Sequence, residues 1–487
     1  ADADPNTGLA VYDTWDSTGW GVFGGTSLSA PLIAAIYALS GGEPAGLHGG
    51  EPWYKPGVAV NDVTSGTNAP LSTDCAPNAY LCNAGTGYDG PTGVGTPAAP
   101  LAAPPPPAPA VYTSVPPFRV ADTRSGSGYP LAGHSLGAGG NVTVPIWGAA
   151  SSPPVPTTAT AAVLNVTATN GTHSSYLTVY PSGTNPPFAS NLNTGGRTVA
   201  NLVTVPIGGN GAVGIFNNLG STDVVVDLEG YFVPGGGPAG LYHPLAPARI
   251  TDTRSGSGQA NAGHTPSSTD TVVVQVTGAG GVPASGVSAV VLNVTAVSSN
   301  GAGFLTVYPG ATGKPLASNL NFVLNQVVPN RVIVPVGADG TVDIYNSKGY
   351  TDIVVDVGGW FTDASGAGGS RFTPLPPTRI ADSRSGSGLQ LAGRTLNSGA
   401  IRTVNANLPP GAVAVAANVT AADTTHDSFL TVYPDQPPPP TASDLNWAAG
   451  QVVPNLVIAE LGAGKLAVFN HAGLVDVIVD VFGYWAP

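Results

Sequence analysis

The chain has 487 residues, with 67 Gly, 48 Pro, 2 Cys and no Met, and a net charge of −13 from 28 acids against 15 bases. With 9% charged residues it is too poor in ion pairs for coiled coils or salt-bridged helical bundles, and its acidity excludes a nucleic-acid binder and a basic membrane patch. No apolar run reaches the roughly 18 residues of a membrane helix, the length calls for several domains, and the absence of Met marks a processed product or one piece of a longer translation product.

Residues 1–97 form a first segment of their own kind. SLSAPLIAAIYALSGG (27–42) predicts a helix ending at Gly41–Gly42. It is apolar nearly all round through Leu32, Ile33, Ile36, Tyr37 and Leu39, so it belongs buried in a larger α/β domain. The segment is too short to cover such a helix and build a sheet as well. Ser27 sits at a Gly-Gly-Thr turn just before this helix. A helix N-terminus offers unpaired N–H groups and a positive dipole end, which suits a nucleophile whose attack creates an oxyanion; the plain alternative is an N-cap. His48 is the one histidine of the segment, so a Ser-His-Asp triad is not available. Cys75 and Cys82 in TDCAPNAYLC lack metal-site spacing and a nearby His. They read as a disulfide from an oxidising compartment, with two free thiols as the alternative. Few Lys and abundant Thr, Ser, Asn and Gly suit a secreted bacterial protein.

Three stretches, GGTSLSAP (24–31), DVTSGTN (62–68) and GTGYDGPTGVGTP (85–97), together with ADADPNTGLAVYD (1–13), resemble the end of the catalytic domain of a sedolisin, a serine-carboxyl peptidase of subtilisin-like fold. The resemblance implies that Ser27 is the nucleophile of an acid-active endopeptidase on protein substrates. It also implies a Glu base, a supporting Asp and an oxyanion Asp upstream. No SGDSG-type loop precedes Ser27, Asp2, Asp4, Asp13 and Asp16 do not match one, and no Glu occurs before Glu43. Those partners would come from a separate upstream peptidase polypeptide, or the segment is an inactive remnant; the chain alone is expected to be silent. The resemblance further implies one Ca²⁺ held by Asp62, Asp89 and the carbonyls of Val63, Gly85 and Gly87, an all-oxygen set. A metal-free Asp-Gly loop is the alternative.

Residues 98–110 are a Pro/Ala tract and read as a stiff linker. A threefold repeat follows: FRVADTRSGSG (118–128), ARITDTRSGSG (248–258) and TRIADSRSGSG (378–388). The units lie at 111–233, 241–363 and 371–487, separated by GGGPAG and ASGAGG as flexible joints. Short Val-, Thr-, Ile- and Tyr-rich runs between Gly, Pro, Asn and Asp clusters predict an all-β sandwich for each, with a small barrel or trefoil as runner-up. Each unit is long enough to fold alone, so the three read as beads. The expected fold class is therefore multidomain, a partial α/β subtilisin-like segment followed by three all-β sandwich-like repeats.

Each repeat carries an Arg–Asp–Arg cluster: Arg119, Asp122 and Arg124; Arg249, Asp252 and Arg254; Arg379, Asp382 and Arg384. Such a cluster can grip a sugar or carboxylate. Alternatively an Arg neutralises, inside the sandwich, one of the paired acids of the closing strands: Asp223 and Asp227, Asp352 and Asp356, Asp476 and Asp480. The structural pairing is favoured. Asn165, Asn293 and Asn418 head NVT sequons within apolar runs and read as buried amides, not glycan sites. Asn191, Asn319 and Asp444, with Asn193, Asn321 and Asn446, read as turn bridges. Tyr231, Trp360 and Tyr484 read as core plugs or sugar-stacking rings. The units resemble tandem C-terminal modules of secreted actinobacterial proteins, a resemblance that implies no activity.

The function expected is the C-terminal portion of a secreted sedolisin-like endopeptidase whose β modules anchor it to a glycan or cell-surface polymer. The rival is a non-enzymatic adhesin, lectin-like or filament-forming surface protein carrying a peptidase remnant.

Overall fold

The alternating runs of the repeats become strands. A computed structural model describes residues 8–13, 19–39, 60–68, 79–87, 89–93, 95–97, 108–436 and 438–487. They fall into two units, residues 1–106 and 107–487.

In the first unit β1 (Leu9–Asp13) pairs with β2 (Gly19–Phe23), α1 (Thr26–Leu39) follows, and β3 (Val60–Asn61) pairs with β4 (Thr96–Pro97). Both pairs are antiparallel. This overturns the expected α/β subtilisin-like segment: the described residues are 49% strand and 3% helix, and α1 is the one α-helix among them. A subtilisin-like core needs a parallel sheet with helices on both faces. Here the hairpin leaves Tyr12 61% and Trp20 74% exposed. The side chains described on α1, at 27–35, are half-buried or exposed, so that stretch is not sunk in a core. Gly41 and Gly42, the expected helix stop, and most of the Pro/Ala tract lie outside the described residues.

The second unit holds eight strands per repeat. The first repeat has β5 (Ala110–Asp122), β6 (Asn141–Pro145), β7 (Ala161–Thr169), β8 (Tyr176–Pro181), β9 (Leu192–Asn193), β10 (Val199–Pro206), β11 (Ala212–Asn217) and β12 (Asp223–Pro234). The second has β13 (Tyr242–Asp252), β14 (Thr271–Gln275), β15 (Val287–Val297), β16 (Gly303–Pro309), β17 (Leu320–Phe322), β18 (Val328–Pro335), β19 (Thr341–Asn346) and β20 (Asp352–Thr362). The third has β21 (Arg371–Asp382), β22 (Ile401–Asn405), β23 (Ala414–Ala422), β24 (Ser428–Pro434), β25 (Leu445–Trp447), β26 (Val453–Glu460), β27 (Lys465–Asn470) and β28 (Asp476–Ala486).

In each repeat the strands form two four-stranded sets, ordered 6-3-8-1 and 2-7-4-5 by position in the repeat, and the 6-3-8-1 sets of the first and third repeats join through β5 and β21 into one eight-stranded sheet. In the first repeat these are β10-β7-β12-β5 and β6-β11-β8-β9. That is the strand order of a jelly roll, two packed sheets related by Greek-key crossings. The sandwich expectation is thus met by a particular topology, and the barrel and trefoil are not formed.

The repeats are not beads. Along β7, Ala162, Leu164, Val166 and Ala168 fill the first sandwich, while Ala161 and Val163 belong to a further core shared with the other two repeats. A strand buried on both faces reads as a continuous apolar run, which is what AAVLNV is. At the centre of the shared core six rings close a hexagon, in the order Tyr112, Phe361, Tyr242, Trp485, Phe372, Phe232. Neighbouring centroids lie 4.3 to 5.2 Å apart. Each repeat gives one ring from its first strand and one from its last, so the hexagon marks a pseudo-threefold axis. Each pair adds about 0.5–1.5 kcal/mol beyond area burial.

The joints between repeats are pinned, not flexible. Gly240 donates to Thr362 O (2.8 Å) and accepts from Tyr112 N (2.9 Å), and Tyr242 and Ser370 exchange both backbone bonds. Gly240 has φ +76°, and a Cβ there would lie 2.1 Å from Tyr112 O, so only glycine fits this closure.

Residues 107–487 should unfold in one calorimetric transition, with van't Hoff and calorimetric enthalpies equal; three separable transitions would restore the bead picture. Trp485→Ala should lower stability by about 3–5 kcal/mol and melt all three repeats together.

Candidate functional site

The repeated motif is built at the end of each repeat's first strand. Arg119 donates from Nε to Asp227 Oδ1 (2.9 Å) and from Nη2 to Asp227 Oδ2 (3.1 Å). Arg249 grips Asp356 in the same two-pronged way, and Arg379 grips Asp480. Asp227 is 1% exposed. It does not face the inside of the sandwich, as expected from sequence. Val224, Val226 and Leu228 take that face, so strand alternation turns Asp227 outward, toward the next repeat. There it accepts the N–H of Ser318, as Asp480 accepts the N–H of Ser190 at 3.3 Å. The other acid of each pair, Asp223, Asp352 or Asp476, accepts one hydroxyl from the motif and one from the loop after it: Thr123 and Ser135, Thr253 and Thr265, Ser383 and Thr395.

Arg124 closes its own loop. It makes a two-pronged bond to Asp122 (2.9 and 2.5 Å), as Arg254 does to Asp252 and Arg384 to Asp382. Burial would raise Asp122, but bonds from Arg124 outweigh it and hold the carboxyl below its ordinary value. The acids of the Arg–Asp–Arg clusters are therefore committed to internal partners, and Arg124 and its two counterparts are the most exposed members of the clusters.

The NVT asparagines and the SNLN motifs meet at the axis. Leu202 N donates to Asn330 Oδ1 (3.1 Å), Arg331 N to Asn455 Oδ1 (3.2 Å) and Leu456 N to Asn201 Oδ1 (3.0 Å). These same amides donate to Asn165, Asn293 and Asn418 Oδ1, from Asn330, Asn455 and Asn201 respectively. Asn165, Asn293 and Asn418 in turn donate to Ser318, Ser443 and Ser190 O, each at 2.6 Å. Every one of these bonds crosses between repeats. Asn191, Asn319 and Asp444 are buried acceptors for the N–H of Val179, Val307 and Val432. Asn193, Asn321 and Asn446 line a shallow axial depression of about 40 Å³. Tyr231 packs in the first core, Trp360 stacks on His243 at 4.1 Å, and Tyr484 is half-buried.

Where the threefold pattern breaks, sequence reasoning missed three residues. Glu229, Gly358 and Phe482 are equivalent, as are Leu202, Arg331 and Leu456. Between repeats one and two, Glu229 accepts from Asn319 Nδ2 (2.6 Å) and Ile333 N (3.3 Å). Between two and three, Arg331 reaches past Gly358 to Asp444 and to Leu456 O. Between three and one, Phe482 and Leu456 are buried apolar groups. Burial pushes the Glu229 carboxyl up to about 8, against its bonds to Ile333 and Asn319. Aligning the repeats and looking for their differences would have found all three.

In the first unit, Ser27 is exposed in the first turn of α1, where Gly25 O accepts from Leu28 and Ser29. Among the described residues no carboxylate or imidazole is bonded to it. Asp62 Oδ2 accepts from Gly87 N (2.8 Å), and Asp89 accepts from Gly85 N and from Thr92. Gly85 and Gly87 thus turn N–H groups toward the two carboxylates. Val63 is half-buried beside them. Asp62 and Asp89 are thereby held in the loop by backbone donors. Cys82 is disulfide-bonded; Cys75, the one other cysteine, lies outside the described residues.

A concave site remains in the third repeat, a groove of about 480 Å³ between residues 405–413 and 460–464. It exists because connections there are short. The second and third strands are joined by residues 146–160, 276–286 and 406–413 in the three repeats, and the sixth and seventh by 207–211, 336–340 and 461–464. In the first repeat the Trp147 ring packs on Gly211 and donates Nε1 to Ala159 O (2.9 Å), filling the equivalent space.

No family model and no curated protein matches the chain. Similar solved structures include one described as the triple jelly roll fold and turret assembly in an archaeal virus, at 10% identity over 77% of this chain and 91% of that one, TM-score 0.15. Another is from Sulfolobus turreted icosahedral virus, at 9% identity over 77% and 91%, TM-score 0.14. A third is the M60 catalytic domain with the CBM51-1 and CBM51-2 domains of Clostridium perfringens ZmpB, at 9% identity over 78% and 38%, TM-score 0.15. Overlap this slight carries no argument, and the topology stands on this chain's own strand order.

The interface bonds have two measurable consequences. Arg331→Leu should cost about 3–5 kcal/mol in denaturant unfolding, because it strands the buried Asp444 carboxylate; adding Asp444→Asn should recover most of it. Glu229 is raised in the folded state from an ordinary 4.5 to about 8. The folded state then holds the proton more tightly, so this contribution is full below pH 4.5 and is lost as pH rises through about 8. The stability difference between wild type and Glu229→Gln should shift in that direction and over that window in pH-resolved thermal melts.

Proposed function

We propose that the chain is a non-enzymatic extracellular protein that binds a polymeric surface, an adhesin or lectin-like protein in which residues 107–487 are a rigid display platform. The observation that carries this reading is the closed set of cross-repeat bonds around the axis. The motifs that looked chemically active are spent on locking three jelly rolls together, and what they leave free is loop surface held in fixed geometry. Disulfide-bonded Cys82 supports an oxidising, extracellular setting. No described helix is long and apolar enough to cross a membrane. Ser27 without a bonded base gives the peptidase reading no support.

The test is co-sedimentation of the full chain with insoluble polysaccharides and bacterial cell-wall preparations, beside a casein-release assay from pH 3 to 7. Retention on at least one polymer with no proteolysis is the expected result. Peptide release that Ser27→Ala abolishes, or retention on no polymer, would overturn the reading.

A further inference from the structure

We infer that the groove of the third repeat binds a hydroxylated ligand that carries a primary ammonium group and is about the size of a disaccharide. This rests on the surface-binding reading above and names the chemistry of one site. A volume of about 480 Å³ lies in the range of small-molecule sites. Leu408, Pro409 and Leu461 give the groove an apolar wall, Asn405 a polar lip, and Glu460 a carboxylate. No Lys or Arg lines it, so nothing there compensates an anionic ligand.

Glu460 is the observation that sets the charge. It ends β26 and is half-buried, and no described residue hydrogen-bonds to its carboxylate or pairs with it. A partly desolvated carboxylate without a partner favours a cationic donor. The net charge of −13 draws cations toward the molecule as a whole. The other repeats act as internal controls. Their equivalents of Glu460 are Pro206 and Pro335, and Trp147 fills the first repeat's space. The acid and the opening occur together, in one repeat only.

The experiment titrates the full chain with β-1,4-linked glucosamine disaccharide, followed by calorimetry and by amide NMR shifts. The N-acetylated disaccharide and the neutral glucose disaccharide serve as comparison arms. The amine form should bind and shift signals of residues 405–413 and 460–464, with each comparison sugar weaker by about tenfold or more. Glu460→Gln should weaken the amine form by about tenfold at unchanged Tm. Ala463→Trp, which refills the groove, should abolish binding. Equal affinity for the three sugars, shifts elsewhere, no binding, or a Glu460→Gln variant that binds as wild type would overturn the inference. If wild type sediments with polymer but does not bind the glucosamine disaccharide, the platform reading stands and this site assignment falls; if wild type sediments with none, the platform reading itself falls.

Discussion

A buried primary amide has two donors and two acceptor positions to satisfy, and each left unmet costs about 1–3 kcal/mol. Asn201, Asn330 and Asn455 meet theirs largely on neighbouring repeats, and so do Asn165, Asn293 and Asn418. No jelly roll can therefore satisfy its own central strands alone. The aromatic hexagon buries apolar surface, which attracts without direction; the amides have direction and constrain the register in which the rings meet. Other motifs adjoin that network: Asp227 on β12 lies opposite Asn165 of β7, and Asn191 O of the SNLN segment accepts from Asn201.

The three interfaces share this frame and differ at one spot. A carboxyl faces an amide at the first, an ion pair sits at the second, and apolar groups meet at the third. Identical interfaces would leave the order of repeats around the axis unspecified. Placing Asp444 anywhere but against Arg331 buries an unpaired charge, so the second and third repeats recognise one another. A mismatch rejects the wrong neighbour as firmly as the match holds the right one.

The repeat and its all-β character were legible because the motifs recur at fixed spacing and the strand runs alternate. The Arg119–Asp227 pairing was legible as well, but its face was not: one residue of phase along β12 decides whether Asp227 looks into the sandwich or at the next repeat. Jelly-roll order is a long-range property that local runs do not carry. The clue that the repeats pack together lay in Asn165 and Thr167, buried polar residues in a strand whose other buried positions are apolar on both faces. The first segment misled in the opposite way: short motifs fix local turns, whereas an α/β core depends on parallel partner strands that the described residues do not provide. The groove went unread because it is made by what the third repeat lacks.

The three jelly rolls are joined in one chain by short tethers that are themselves hydrogen-bonded, as at Gly240 and Ser370. Three separate subunits building the same ring would be in equilibrium with free pieces and would come apart on dilution. Within one chain, closure is intramolecular, and a short linker sets a local concentration on the order of millimolar whatever the concentration of the protein. The ring therefore persists at vanishing abundance.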